Sequence, residues 1–245
     1  MRMLRQRPIS FLLKSDHPLA KGLVFAGLGR CHNSLRYQDS SPYGRHGTLV
    51  NMEPATAWQF STELGRWVVY LDGLNSGDYL SLPGLANGTY SVAFWGHNTA
   101  TETYSYLFDA RVSGGTGWCY VTNGNGAIVI PAGDGQIRYV NGVPSSTDSA
   151  TLAHYAVTGI TLNATTLIFG AENSLRADQR YKGTIADITI WNRVLSTAEI
   201  QQLADPSNVM LSGLILPPKR KYYGITIPLY TTKRYYKIGK RILRA

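Results

Sequence analysis

The stretch that decides the fold runs from residue 181 to residue 203 and reads Tyr-Lys-Gly-Thr-Ile-Ala-Asp-Ile-Thr-Ile-Trp-Asn-Arg-Val-Leu-Ser-Thr-Ala-Glu-Ile-Gln-Gln-Leu. Between Ile185 and Trp191 the residues alternate with a period of two, and many of them are β-branched. Such a pattern predicts a β-strand that presents one face to a core.

A short helix is predicted directly after this strand. Ser196 stands at the N-cap position, and Glu199 follows three residues later, so the two side chains form a capping box. Ile200 and Leu203 give the helix one apolar stripe, and Asp205-Pro206 ends it.

The strand and helix together closely resemble the closing elements of laminin-G-like, concanavalin A-type jelly-roll domains. Other parts of that family's pattern follow in the same order earlier in the chain, and the resemblance covers residues 19–205. The matching segments are an opening turn at 39–48, two paired strands around an Asp-Gly turn at 68–73 and 77–82, a central strand at 90–95, an Asn-Gly hairpin at 139–143 and a penultimate strand at 167–171.

Composition predicts the same fold class independently of any family. The chain has 25 glycines in 245 residues and only 16% charged residues, and turn signals such as Asn123-Gly124 separate short apolar runs. The prediction is therefore an all-β, two-sheet antiparallel jelly-roll sandwich with one short C-terminal helix and extended basic terminal arms. The predicted division is a basic arm at 1–18, the sandwich at 19–205 and a second basic arm at 206–245.

Charge is concentrated at the C-terminus. Residues 1–205 contain 15 basic and 15 acidic residues, whereas residues 206–245 contain nine basic and no acidic ones. Tyrosines and isoleucines are interleaved with these charges, which is untypical of a disordered solvating tail. The residues predicted to dock onto a partner are Lys219, Arg220, Lys221, Tyr222, Tyr223, Lys233, Arg234, Tyr235, Tyr236, Lys237, Lys240, Arg241 and Arg244.

Three partners fit such a tail, and an acidic protein surface is favoured because aromatic and arginine side chains make good interface anchors. Nucleic acid would also suit the charge, and the tyrosines could stack on bases. A membrane surface is disfavoured because Pro228 and Gly239 interrupt any amphipathic helix. Self-association is a further alternative, and no membrane-spanning segment is expected.

No export signal is expected, because the apolar run Ile9–Leu13 is shorter than a signal-peptide core. Cys31 and Cys119 could pair if the fold brought them close together, but two free, buried thiols are the favoured prediction. Laminin-G-like domains with short basic extensions resemble proteins encoded among bacteriophage structural genes. The resemblance implies a decoration protein on the capsid exterior, made in the host cytoplasm and bound to the major capsid protein or another virion protein.

Catalysis is not expected. Glycoside hydrolases of this fold need two carboxylates flanking the scissile bond, commonly as Glu-x-Asp-x-x-Glu on one strand. The chain has no such motif, and its glutamates are scattered along the sequence at Glu53, Glu63, Glu102, Glu172 and Glu199.

Calcium is the cofactor that the resemblance implies, since family members often bind one ion near the sandwich edge. The matching residues are Asp39 in the opening turn and Asp187 in the closing strand. Asp39 could instead cap its own turn, and Asp187 could bond to nearby backbone groups.

Carbohydrate binding is the alternative function that the resemblance implies, on a phage tail or on a host surface. Sugar sites stack an aromatic ring on the sugar and add a few polar groups. The residues that could supply them are Trp95, His97, Asn98, Trp118 and Tyr120. The alternative, which is favoured for Trp95, is that these aromatic rings fill the sandwich core.

Overall fold

The computed structural model describes most of the chain between residues 12 and 205. The described residues are 14, 16–28, 34–73, 77–101, 103–111, 116–131, 136–163, 165–176 and 178–205, with backbone alone for 12–13, 164, 215–216, 221–222 and 225–226. The chain divides into two units, one spanning Leu13–Ile215 and the other combining Met1–Leu12 with Leu216–Ala245. The predicted division at 18/19 and 205/206 stays a prediction.

Most of the regular structure in the described residues is β-strand. In chain order the strands are β1 Leu12–Leu13, β2 Leu23–Gly27, β3 Arg36–Tyr37, β4 Gly47–Val50, β5 Trp58–Ser61, β6 Arg66–Leu71, β7 Tyr79–Asn98, β8 Tyr104–Asp109, β9 Trp118–Thr122, β10 Ala127–Val129, β11 Ile137–Val140, β12 Val143–Pro144, β13 Ala153–Phe169, β14 Gly183–Trp191, β15 Ile215–Leu216, β16 Lys221–Tyr222 and β17 Ile225–Thr226. The helices are a 3-10 turn at Pro18–Ala20, α1 at Pro54–Ala57 and α2 at Thr197–Leu203.

Strands β2 to β14 form two packed layers, because the long strands β7 and β13 each run through both. The front layer has the order β10, β9, β8, the end of β13, the start of β7, β4 and β3. The back layer has the order β12, β11, the start of β13, the end of β7 and β14. Strand β14 also pairs with β2 and with β6, and β6 pairs with β5. This arrangement confirms the predicted all-β jelly-roll sandwich.

The hydrophobic core lies between the two layers. Phe94 of the back layer packs edge-on against Phe169 of the front layer, with ring centroids 5.7 Å apart. Cys119 is a free thiol buried in this core, as expected from the sequence, whereas Cys31 lies outside the described residues.

Strand β14 does not keep the uniform alternation predicted from its sequence. Asp187 has a positive φ of 49°, and the register with β7 shifts at this residue. The bulge changes the phase of the strand, so that Ile185 before it and Ile188 and Ile190 after it all belong to the core. Trp191 is also fully buried, so the strand is covered on both faces.

Helix α2 is capped as predicted. The Ser196 hydroxyl accepts a hydrogen bond from the Glu199 backbone N–H, and the Glu199 carboxylate accepts one from the Ser196 N–H. Ile200 and Leu203 are buried. The helix contacts the outer face of the back layer, where Thr197 lies 3.2 Å from the Tyr139 hydroxyl.

The predicted Asn-Gly hairpin is present as β11 and β12, with positive φ at both Asn141 and Gly142. The two strands predicted around residues 72–73 are also present, but the prediction that they pair with each other is wrong. Strand β4 and the end of β13 occupy the two edges of the start of β7. Strand β6 therefore pairs with β5 and β14 instead.

Outside the two layers, β1 pairs with β15, and β16 pairs with β17. Within the described residues, no helix is both long and apolar enough to cross a membrane. Most of the predicted docking residues between Lys219 and Arg244 lie outside the described residues, and for Lys221 and Tyr222 only the backbone is described.

Candidate functional site

Four aromatic side chains lie together on the outer side of the front layer. Along β9, Cys119 and Val121 face the core, so Trp118 and Tyr120 face away from it. Tyr106 of β8 lies directly opposite Tyr120 in the register. We call Tyr104, Tyr106, Trp118 and Tyr120 the aromatic surface.

The rings of the aromatic surface pack on one another. Trp118 stacks on Tyr120 with centroids 5.1 Å apart and an angle of 13° between the planes. Tyr106 and Tyr104 contact the Tyr120 ring from β8, at 5.1 Å and 5.2 Å. Tyr106 is 6% exposed and Tyr104 is 36% exposed, so the cluster extends from a buried base to solvent.

Arg111, just after β8, lies beside these rings. Its guanidinium carbon is 5.3 Å from the Tyr106 ring centroid and 5.9 Å from that of Trp118. Its Nε donates to both oxygens of Asp109 at 3.0 Å, and its Nη2 donates to Glu172 Oε1 at 3.0 Å. The cation is thus held between two carboxylates and against two aromatic rings.

Asp109 is the centre of this network and is completely buried. Its oxygens also accept hydrogen bonds from the backbone N–H groups of Arg111 and Asn173, at 2.9 Å and 3.0 Å. The bond to Asp109 raises the pKa of Arg111 above its usual range. The guanidinium is therefore a fixed positive group at one end of the aromatic surface.

The structure brings together two of the five residues predicted to bind glycans, Trp118 and Tyr120. Trp95 is on the outer face of the back layer, 7% exposed, where it packs against Val68 and Ala186. The surroundings of Trp95 therefore match the alternative in which its ring serves packing and does not bind a sugar.

His97 and Asn98 lie at the end of β7 and take part in contacts between loops. His97 Nε2 is 3.2 Å from the Ala150 carbonyl oxygen. The Asn98 side-chain amide donates to Asn123 Oδ1 at 3.1 Å. Neither residue has a contact with the aromatic surface among those that the structure describes.

Sequence reasoning missed Tyr104, Tyr106 and Arg111. The tyrosines could have been found, because Tyr-Ser-Tyr on β8 repeats the alternation of Trp-Cys-Tyr on β9. Glu172 had no local signal, since it is 61 positions from Arg111 in the chain.

Asp39, one of the two residues predicted to bind calcium, caps its own turn. Its carboxylate accepts hydrogen bonds from the backbone N–H groups of Ala26 at 2.9 Å, Ser41 at 2.8 Å and Arg45 at 2.7 Å. The Ser41 hydroxyl donates a fourth bond at 2.7 Å. Protein donors thus surround the carboxylate where calcium would need open coordination positions.

Asp187, the second predicted calcium ligand, lies 2.9 Å from the Arg66 guanidinium, and both side chains are largely buried. The described residues contain no group of three or more His, Cys, Asp or Glu side chains placed to hold a metal ion. The calcium site stays a prediction, and the surroundings of these two carboxylates do not favour it.

A cavity of about 390 Å³ lies elsewhere in the sandwich, beside α1 and the β5–β6 hairpin. Three carboxylates, Glu53, Asp72 and Asp78, are among the residues that line it. The lining residues are Asn51, Met52, Glu53, Thr56, Ala57, Gln59, Tyr70, Asp72 and Asp78.

Comparison with known proteins supports the predicted family resemblance. Residues 127–201 match a family model described as the concanavalin A-like lectin/glucanases superfamily. This match includes β10 to β14, most of helix α2 and Glu172 of the arginine network. No curated protein shows significant similarity to the chain.

Two solved structures illustrate the similarity of fold. A Trypanosoma rangeli sialidase in complex with 2,3-difluorosialic acid has a TM-score of 0.52 at 16% identity, over 78% of this chain and 34% of the sialidase chain. Domain 4 of AbnA, an extracellular arabinanase from Geobacillus stearothermophilus, in complex with arabinotriose, has a TM-score of 0.50 at 18% identity, over 74% of this chain and all of that domain. The chain spans about one third of the sialidase, and both likenesses are likenesses of fold.

Proposed function

We propose that the sandwich is a non-catalytic carbohydrate-binding module and that its ligand binds at the aromatic surface. The observation that supports this most directly is the Trp118–Tyr120 pair on the face away from the core, beside the fixed guanidinium of Arg111. Aromatic side chains contact the apolar face of a sugar, and a few fixed polar groups orient its hydroxyls. Arabinotriose is bound by the AbnA domain of similar fold, which is consistent with this proposal.

Binding to a glycan array tests the proposal, with the full chain compared to its Trp118→Ala variant. We expect the full chain to bind a defined set of glycans and the variant to bind them on the order of tenfold more weakly, the size expected for losing one aromatic contact. Phe60→Ala is the matched control, because Phe60 is 54% exposed and lies on the β5–β6 hairpin.

Two results would contradict this function. One is the absence of any bound glycan with the intact chain. The other is binding that survives both Trp118→Ala and Tyr120→Ala, provided that the circular dichroism spectra show both variants to be folded.

The two carboxylates at the aromatic surface are poorly suited to catalysis. Asp109 is completely buried and bonded to Arg111, and the two oxygens of Glu172 contact Arg111 and Ser174. Glycoside hydrolysis needs one carboxyl group to donate a proton and another to attack or activate water. We expect no sugar release from sialylated or arabinan oligosaccharides, and measurable release would overturn the non-catalytic assignment.

A second candidate function is a virion decoration protein, and the distribution of charge favours it. All of the net charge of +9 lies in residues 206–245, while the remainder of the chain is balanced. A basic, tyrosine-rich segment can anchor a protein to an acidic protein surface. In this proposal the arm holds the chain on the exterior of a bacteriophage capsid, and the sandwich faces outward.

A further inference from the structure

We propose that the aromatic surface selects neutral glycans and rejects anionic ones. This inference depends on the proposed function, since it names the class of sugar that the same surface takes. It rests on the balance of charge and of hydrogen-bond donors and acceptors around Arg111.

The guanidinium of Arg111 is opposed by more negative charge than it carries. Asp109 and Glu172 both contact it, so one positive group faces two carboxylates. The side chains of Arg111, Asp109 and Glu172 are 22%, 0% and 12% exposed. A ligand that reaches Arg111 therefore enters a local environment with an excess of one negative charge.

The remaining hydrogen-bonding positions suit a hydroxyl group. Nε and Nη2 of Arg111 are occupied, whereas Nη1 has no partner among the residues that the structure describes. The neighbouring Glu172 carboxylate can only accept hydrogen bonds. A sugar hydroxyl can accept from Nη1 and donate to Glu172 at once, whereas a carboxylate can only accept.

An anionic sugar would also be repelled. A sialic acid carboxylate placed at Nη1 would lie close to Glu172, with Asp109 directly behind the guanidinium. Like charges a few ångströms apart near a protein surface weaken binding by roughly fivefold or more. The rings of the aromatic surface have no positive charge that would offset this repulsion.

The test uses the full chain on an array that presents each core oligosaccharide in a neutral and in a sialylated form. Physiological salt is used because it screens the long-range attraction of the basic tail for anions beyond about 8 Å. We expect each neutral form to bind at least fivefold more tightly than its sialylated partner. Glu172→Gln keeps the shape of the side chain but removes one negative charge, so it should reduce this ratio by at least half.

Glu63→Gln is the matched control, because Glu63 is exposed in the turn between β5 and β6, a part of the chain separate from the arginine network. It should leave the ratio unchanged. Equal or tighter binding of the sialylated forms, or a ratio that Glu172→Gln leaves unchanged, would overturn the inference while leaving the carbohydrate-binding function in place. If no glycan in either form binds, the proposed function fails, and the inference fails with it.

Discussion

His154 is the residue whose environment couples the stability of the sandwich to pH. It is 3% exposed, and its ring packs against Trp95 at 5.4 Å. Its Nδ1 has no hydrogen-bond partner among the described residues. Burial, with a smaller effect from the positive charge of Arg66, lowers its pKa from 6.5 to about 3. The folded protein therefore holds this histidine in its neutral form.

Stability should fall as the pH is lowered below about 6.5. The unfolded chain takes up a proton on His154 there, whereas the folded chain does so only near pH 3. The stability is fully present above the unfolded pKa and decreases by about 1.4 kcal/mol per pH unit below it. Urea denaturation at pH 6.5 and pH 5 should show a loss of about 1.6 kcal/mol from this residue, because His154 of the unfolded chain is already half protonated at pH 6.5.

The His154→Asn variant tests this assignment by removing the titrating group. Whatever its stability at neutral pH, its unfolding free energy should change much less between pH 6.5 and pH 5. His97→Gln, which removes a partly exposed histidine, should keep the dependence of the wild type. An equal loss in the His154→Asn variant would assign the pH dependence to other groups.

Among the structural elements, the β11–β12 hairpin shows how a local turn also determines packing. Gly142 has a φ of 78°, a conformation that glycine adopts without strain. A Cβ atom at this position would lie 3.1 Å from Gln201 Cα and 3.3 Å from Ala204 Cβ. The turn therefore packs directly on helix α2, and glycine is required for both its backbone angle and its size.

Gly142→Ala should destabilise the protein by about 1–2 kcal/mol or more, because the left-handed conformation alone costs that much for a residue with a Cβ atom. Thermal or urea denaturation measures this difference. Gly124→Ala in the β9–β10 turn is the matched control, since a Cβ there meets no atom within 4 Å, and it should change stability by less than about 0.5 kcal/mol. Equal effects of the two substitutions would show that Gly142 is not specifically required.

At the scale of the whole molecule, the C-terminal arm differs from the rest of the chain in net charge, because residues 206–245 contain nine basic and no acidic residues. If the arm anchors the chain to an acidic virion protein, replacing Lys233, Arg234 and Lys237 with glutamine should weaken that attachment. Exposed ion pairs contribute about 0.2–1 kcal/mol each, so we expect roughly fivefold weaker capture. The measurement is a pull-down from a lysate of virus-producing cells, in which captured capsid and tail proteins are identified at low and high salt.

The control replaces three exposed basic residues of the sandwich, Arg36, Arg176 and Lys182, with glutamine. This variant has the same net charge as the arm variant but should keep normal capture. High salt should release the partner from the wild type, because screening weakens exposed ionic contacts. Equal loss in both variants would indicate an effect of total charge, and capture of no virion protein would contradict the decoration proposal.

The candidate site was predictable only in part. Trp118 and Tyr120 are among the residues that the sequence predicts to bind a sugar, and the structure has them stacked. Tyr106 joins them through the pairing of β8 with β9, in which the register shifts just after Tyr106. Glu172 joins through the packing of β13 beside β8. Trp95 has an equally suitable side chain but lies on the other layer. Local sequence patterns could not show this, because the pairing of distant strands determines the layer to which a residue belongs.

The sequence by itself determined the fold class, the capping box of α2, the Asn-Gly hairpin and the separation of charge. These features depend on side-chain alternation, on contacts between residues two to four positions apart or on composition, so the order of residues specifies them directly. The tertiary structure decided which faces are buried and which distant side chains meet. Bulges such as the one at Asp187 change the phase of a strand, and the pairing of strands far apart in the chain brings Glu172 to Arg111. The position of a bulge and the pairing of distant strands both depend on the whole sandwich, because its apolar side chains must be buried while its backbone groups are hydrogen-bonded.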